Sequence, residues 1–324
     1  MSPQPIDKEM MQVLKPKSRA GDNPALNAFI PPAELFALKP WRALLALLAD
    51  WGLIAASLVA AATWPHPVTY LLAAIIIARS QLALAVIMHE SAHGVLLRRQ
   101  GLNDLIGQLF AAGPLFLSLK TYRAGHLKHH LAPMQHDDPV VAVFGLGDFP
   151  LPRGKLAIKL LADIGGVGYF ISACKFARGD YREIMPKVEK SPGYMAWEIF
   201  SMLLSNGLLF GVLSAYGHAG LYLGLWLLPA ITLLPFMGRV RAIMEHAGLP
   251  ACDDQSQNAR SIVRANWQTF VFGPHAVHYH IEHHLFVRMP FYHLHRVNQQ
   301  LVAQQLVPAG NLYNGYVEVL RDVS

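Results

Sequence analysis

Residues 68–93 read VTYLLAAIIIARSQLALAVIMHESAH, an apolar run from Val68 to about Met88 that leads directly into His89-Glu90-Ser91-Ala92-His93. About twenty residues of this character, rising 1.5 Å each, cross a bilayer core of roughly 30 Å. Arg79 and Gln81 interrupt the run. A second stretch precedes it from Ala43 to about Trp64, broken by Asp50, and the uncharged link Pro65-His66-Pro67 joins the two into a tight hairpin of spanning helices. Segments of similar length at about 194–215 and 220–237, linked around Gly217-His218, predict a second hairpin. Two weaker stretches lie between the hairpins, Leu102–Leu119 and Leu156–Phe176, the latter punctuated by Lys159, Asp163 and Lys175. Such segments are more often interfacial or re-entrant than spanning.

The whole chain agrees with that reading. It has 324 residues, 53% hydrophobic and 15% charged, where a soluble domain carries roughly 25% charge. This hydrophobicity excludes a disordered protein, and two cysteines, Cys174 and Cys252, exclude a small disulfide scaffold. The opening residues lack the short apolar core and cleavage site of a secretory signal. Apolar segments and histidines interleave, which predicts one membrane unit at 41–300, flanked by a polar segment at 1–40 and a tail at 301–324.

Charge sets the expected orientation. Of the 27 Lys and Arg, six precede the first span, thirteen lie from Arg98 to Lys190 and seven from Arg239 onward, while the far-side links carry none. By the positive-inside rule both termini and the middle segment face the cytoplasm. The net charge of +6 is then a topology signal, and nucleic acid loses its main support as a partner. Short termini and Ala/Leu-rich spans suggest a bacterial inner membrane.

Sixteen histidines are an excess, and eight of them form three clusters on the same side of the bilayer. These are His89 and His93; His126, His129 and His130; and His280, His283 and His284. Residues three and four apart share a helix face, so each cluster aims two or three imidazoles in one direction. A single histidine is usually packed or solvated; three clusters at one membrane boundary point to metal. An open zinc site needs three protein ligands, so eight histidines suit two neighbouring ions. Imidazole alone does not choose among zinc, copper, iron and nickel.

The order HxxxH, HxxHH, HxxHH around two transmembrane hairpins resembles the integral-membrane fatty acid desaturase and hydroxylase superfamily. Tyr122-Arg123 before the second box, Asp138-Pro139 after it, and His284-Leu285-Phe286 followed by Met289-Pro290 add to the likeness, which runs from roughly Trp41 to Arg296. The resemblance implies an all-α polytopic membrane protein with four transmembrane helices in two hairpins and a cytoplasmic helical cap carrying the boxes. It further implies a non-haem di-iron centre, with two iron ions ligated by His89, His93, His126, His129, His130, His280, His283 and His284, using O2 as co-substrate on an acyl chain. The family often adds a histidine just after the last span, and His246 occupies that region. Val287 stands where many relatives have proline, and Ala242 where some have asparagine. No haem-binding domain is fused, so a ferredoxin or cytochrome-type donor is implied.

Desaturation of a membrane lipid or other acyl substrate is the expected reaction, with fatty acid or carotenoid hydroxylation or ketolation as the alternative. The first box also satisfies HExxH, the zinc-protease motif with Glu90 as base, but that reading leaves two boxes unexplained. A metal carrier would place its ligands within the spans. Glu90, Glu245, Glu282, Asp137 and Asp138 are the acids available to orient the rings. Asp50 and Arg79 read as a mutual ion pair, His275 and His278 as outer-layer or packed groups, and His293 and His295 as surface.

Overall fold

The computed structural model describes residues 19–324, so Lys8, Lys15, Lys17 and the rest of positions 1–18 of the N-terminal segment lie outside the described residues. After a short helix, α1 (Pro24–Ala28), come two long antiparallel helices, α2 (Pro40–Thr63) and α3 (Pro67–Ala92). Proline at the first turn starts each of them, and His66 accepts from Val68 N–H to cap α3. A second long pair follows later, α9 (Pro192–Ala215) and α10 (Ala219–His246). All four are long and apolar enough to cross a membrane, and the chain is a helical membrane protein.

The four helices are not equivalent. Two-thirds of the most apolar window of α3 is buried within the protein, against 28% or less for the others, so α3 is the central helix. Other spans expose Leu45, Leu48 and Val59 on α2, and Ile199, Leu203 and Leu208 on α9, side chains that belong against lipid. Packing around α3 seats Ile77, Leu84 and Ile87 against Leu47, Ile54 and Trp226.

Between the pairs lie two bent elements. Gln100–Leu115 (α4) meets Leu119–Leu131 (α5) at 94°, and Arg153–Ile164 (α7) meets Val167–Arg178 (α8) at 82°, with the short α6 (Pro139–Phe144) between them. α8 buries no residue and exposes Tyr169, Phe170, Ile171 and Phe176, as an interfacial helix does. Arg239 of α10 ties to Asp163 of α7.

Helix α10 departs from the hydropathy reading. It runs on to His246, nine residues beyond Met237, because its last turns leave lipid and enter the cap. Pro229 and Pro235 lack donors, and the helix absorbs this with a π-turn at Tyr222–Leu227 and a break at Thr232, whose Oγ1 donates to Leu228 O at 2.6 Å. Helix α3 likewise continues into the first histidine box, ending at Ala92 with His93 as its cap.

The cap is completed by α5, α11 (Trp267–Phe272), α12 (His280–Leu285), α13 (Leu294–Ala303) and α14 (Tyr316–Asp322). Two short strands, β1 (Ser261–Ile262) and β2 (Leu312–Tyr313), pair in parallel and fasten the C-terminal residues to the segment before α12. Tyr316, Val319 and Val323 pack with Val240 and Ile243 of α10.

Candidate metal centre

The first histidine box ends the long helix α3 and stays whole, whereas the second and third, on α5 and α12, are divided by helical spacing. An i, i+4 pair stays on one face, while the residue at i+3 leans to the other side. His126 and His130 of α5 therefore join His89, His93 and His283 in a first group, while His129 turns away into a second group with His246, His280 and His284. The third box mirrors the second: His280 and His284 form its pair and His283 crosses over. Within each group the candidate ligand atoms lie within 4.8 Å of one another. The groups adjoin, with the His130 and His284 ring centroids 4.3 Å apart.

All nine imidazoles are buried, none more than 7% exposed. Burial drives the His93 ring down to about 3 and holds His280, His283 and His284 well below the ordinary histidine value, so these rings are neutral near pH 7. The inward-facing atoms are Nε2. Their separations are 2.9 Å for His89–His283, His93–His126 and His126–His130, and 3.0 Å for His130–His283. In the second group they are 2.8 Å for His246–His280, 3.1 Å for His280–His284 and 3.3 Å for His129–His284.

The outer ring nitrogens show what these atoms are for. His129 Nδ1 lies 2.8 Å from Asp138 Oδ2, His246 Nδ1 lies 2.8 Å from the Asn258 carbonyl and His284 Nδ1 lies 3.3 Å from Gln255 Oε1. A carbonyl only accepts, so His246 carries its proton on Nδ1 and presents a lone pair inward at Nε2. The Asp138 carboxylate imposes the same tautomer on His129. Lone pairs facing one another at these distances repel, and a cation between them removes the conflict. The donor set fits a metal ion in each group.

Asp138 is itself well held. Burial alone raises its carboxyl, but His129 and the backbone N–H groups of Met134 and Val140 outweigh that and keep it below the usual carboxylate value. Glu90 Oε1 and Glu245 Oε1 each lie 3.4 Å from an Nδ1, of His89 and His280 respectively. Glu90 thus stands behind its ligand and away from the Nε2 face, where a zinc-protease base would be needed. The other two acids serve elsewhere: Glu282 accepts from Ser261 Oγ at 2.6 Å and Asn298 Nδ2 at 2.7 Å, and Asp137 pairs with Lys128 at 3.0 Å.

Several further residues sit apart from the candidate ligands. Asp50 and Arg79 pair at 2.7 Å inside the first hairpin, and His275 Nε2 joins Asp50 at 2.6 Å. His278 Nδ1 lies 3.1 Å from the Gly273 carbonyl. His295 is exposed, whereas His293, expected at the surface, is 2% exposed because it lies beneath the start of α13 with the Leu294 and Val297 core. Ala242 is buried at 3% and offers no polar contact to the site. Gln255 and Asn258 were not legible as site residues: they belong to the polar run 252–258, which reads as a solvated loop. Gln255 also donates from Nε2 to the His130 carbonyl at 2.9 Å, touching both groups.

A sequence model of the fatty acid desaturase family matches residues 62–316. The chain belongs to that family and is an oxidoreductase of it. It is 27% identical over 263 residues to the dihydrorhizobitoxine desaturase of Bradyrhizobium elkanii, covering 77% of this chain and 72% of that protein.

Proposed function

We propose that the protein is an O2-dependent desaturase of an acyl chain, with its nine buried histidines holding two iron ions. The observation that carries the reading is the convergence of two adjacent groups of imidazoles with their Nε2 atoms facing one another; three imidazoles of the second group have an acceptor behind the outer nitrogen. When bound, the iron pair supplies reductive activation of O2 and removal of hydrogen from an unactivated methylene. His89, His93, His126, His130 and His283 would hold one ion, and His129, His246, His280 and His284 the other.

The chain's own part is binding, orientation and exclusion. Asp138, the Asn258 carbonyl and Gln255 keep protons on outer nitrogens, so that inner nitrogens are free to ligate. Arg123 donates to the Ser91 and Ala92 carbonyls, at 2.8 and 3.0 Å, which anchors the end of α3 that carries the first box. Burial of every ligand keeps bulk water from the reacting carbon. The excess of Lys and Arg on this side supports a cytoplasmic site, with the acyl tail entering from the bilayer. That the relative is named a desaturase favours desaturation over hydroxylation.

Mass spectrometry of lipids from a host expressing the wild-type chain, beside one expressing His129→Ala, tests the reading. A product lighter by two hydrogens, present only with the wild type, is expected. A product heavier by one oxygen makes the enzyme a hydroxylase, and unchanged lipids remove acyl chains as the substrate.

A further inference from the structure

Desaturation leaves an electron deficit. In –CH2–CH2– + O2 + 2 e⁻ + 2 H⁺ → –CH=CH– + 2 H2O, O2 accepts four electrons and the substrate supplies two. Hydroxylation, –H + O2 + 2 e⁻ + 2 H⁺ → –OH + H2O, leaves the same two missing. With every candidate ligand at most 7% exposed, those electrons have to cross protein from a surface.

One surface combines charge with a connection inward. Lys39, Arg42, Arg98 and Arg296 are all exposed and gather around the half-buried Tyr292. The Lys39 backbone N–H donates to Tyr292 Oη at 2.6 Å, and the Arg42 guanidinium lies 5.5 Å from the ring centres of both Trp41 and Tyr292. Arg98 Nη2 reaches the Leu38 carbonyl at 3.4 Å. Among the described residues Glu34 is the one carboxylate paired with any of these cations, at 3.0 Å from Arg296. Behind them His293 is buried with neither ring nitrogen bonded. Burial first, then Lys39, Arg296 and Arg42, hold that ring down to about 4, so it adds no charge of its own near pH 7.

From Tyr292 the chain leads to the metal groups. The backbone N–H of the neighbouring Phe291 donates to Glu90 Oε2 at 3.0 Å, and Glu90 Oε1 lies 3.4 Å from His89 Nδ1. We infer that the Lys39–Arg42–Arg98–Arg296 surface is the docking face for a small acidic one-electron carrier protein, which delivers reducing equivalents to the first histidine group. The inference rests on the oxygen chemistry proposed above. Complementary charge of this kind sets encounter rate and partner choice and weakens with salt. Anionic lipid headgroups match the same cations, but a lipid has no use for a connection from Tyr292 to His89.

The test uses iron-loaded protein in phosphatidylcholine nanodiscs, with an acidic plant-type [2Fe–2S] ferredoxin as probe. Binding of the oxidised ferredoxin and reduction of the centre by the reduced form are measured for wild type, for Lys39→Glu/Arg296→Glu, and for the milder Arg98→Gln. Reduction by photoreduced deazaflavin, a neutral small molecule, reports an intact centre. The double variant is expected to lose at least about tenfold in ferredoxin affinity and reduction rate, with a flattened salt dependence and an unchanged deazaflavin rate. Arg98→Gln is expected to show the same pattern at smaller size. Unchanged ferredoxin binding in both variants overturns the inference. So does a loss confined to binding of phosphatidylglycerol vesicles, which assigns the surface to lipid. A wild-type centre that accepts no electrons from deazaflavin fails the proposed function instead, while ferredoxin binding still decides the docking face.

Discussion

In the second histidine group Asp138, the Asn258 carbonyl and Gln255 stand behind His129, His246 and His284, leaving the Nδ1 of His280 without a hydrogen bond, whereas in the first group the Nδ1 atoms of His89, His93 and His130 have no hydrogen-bond partner. The first group compensates in number, with five candidate ligands against four. On the proposed reading one ion would be held by more donors loosely oriented, the other by fewer donors of which three are fixed in tautomer and direction. Partners behind a ligand ring are worth about 10- to 100-fold in metal affinity, so orientation can offset the missing ligand. The two groups also exchange members, since each of α5 and α12 sends a pair to one and a single residue to the other. Under the proposed two-ion reading, neither ion could be displaced without disturbing a helix that serves both.

The largest effect expected on this comparison comes from removing a ligand. His129→Ala leaves three ligands in the second group and His283→Ala leaves four in the first; both are expected to abolish product. Metal analysis separates them, because His129→Ala is expected to retain one ion per chain and His283→Ala to retain more than one. Equal losses would erase the distinction between the groups.

Behind the ligands the effects shrink. Asp138→Ala is expected to weaken the second group's ion by about 10- to 100-fold while leaving the first unaffected, as read by stepwise chelator titration. Gln255→Ala, which removes a longer 3.3 Å contact, is expected to cost under about tenfold. If both variants release the two ions together, the groups are not independent.

The remaining effect, on stability and not on metal affinity, is one of pH. In chelated protein the folded state keeps His93 at about 3 and His280, His283 and His284 well below the ordinary 6.5. The unfolded chain therefore takes up protons first as pH falls. Stability is fully present above about pH 6.5 and is lost progressively below it, by up to about 1.4 kcal/mol per histidine per pH unit. Thermal unfolding of the chelated protein across pH 5 to 7 checks this, and a flat profile would show the rings to be solvated.

The four spans and the three boxes were legible because both depend on local repetition: uninterrupted hydrophobicity in one case and i, i+4 spacing in the other. The exchange of His129 and His283 between groups departs from the expectation that each box aims all its rings one way, because positions i+3 and i+4 lie about 100° apart on the helix and packing on two sides separates them. The reach of α10 past Met237 was hidden, because hydropathy follows lipid contact and the helix outlasts it. The roles of Asn258 and Gln255 depend on a loop folding back onto α5, α10 and α12, and no spacing records such a return. His293 looked like a surface residue because it follows an aromatic pair and precedes His295, yet the packing of Leu294 and Val297 turns it inward. Glu282 sits between two ligands in the chain but points at Ser261 and Asn298, since consecutive helical residues do not share a face.

The central claim is that nine buried imidazoles hold a pair of iron ions. Metal content of the purified membrane protein, read together with its Mössbauer spectrum after expression in ⁵⁷Fe medium, tests it most directly. Two irons per chain in nitrogen-rich sites are expected, and a single zinc, or no stoichiometric metal, would contradict the account.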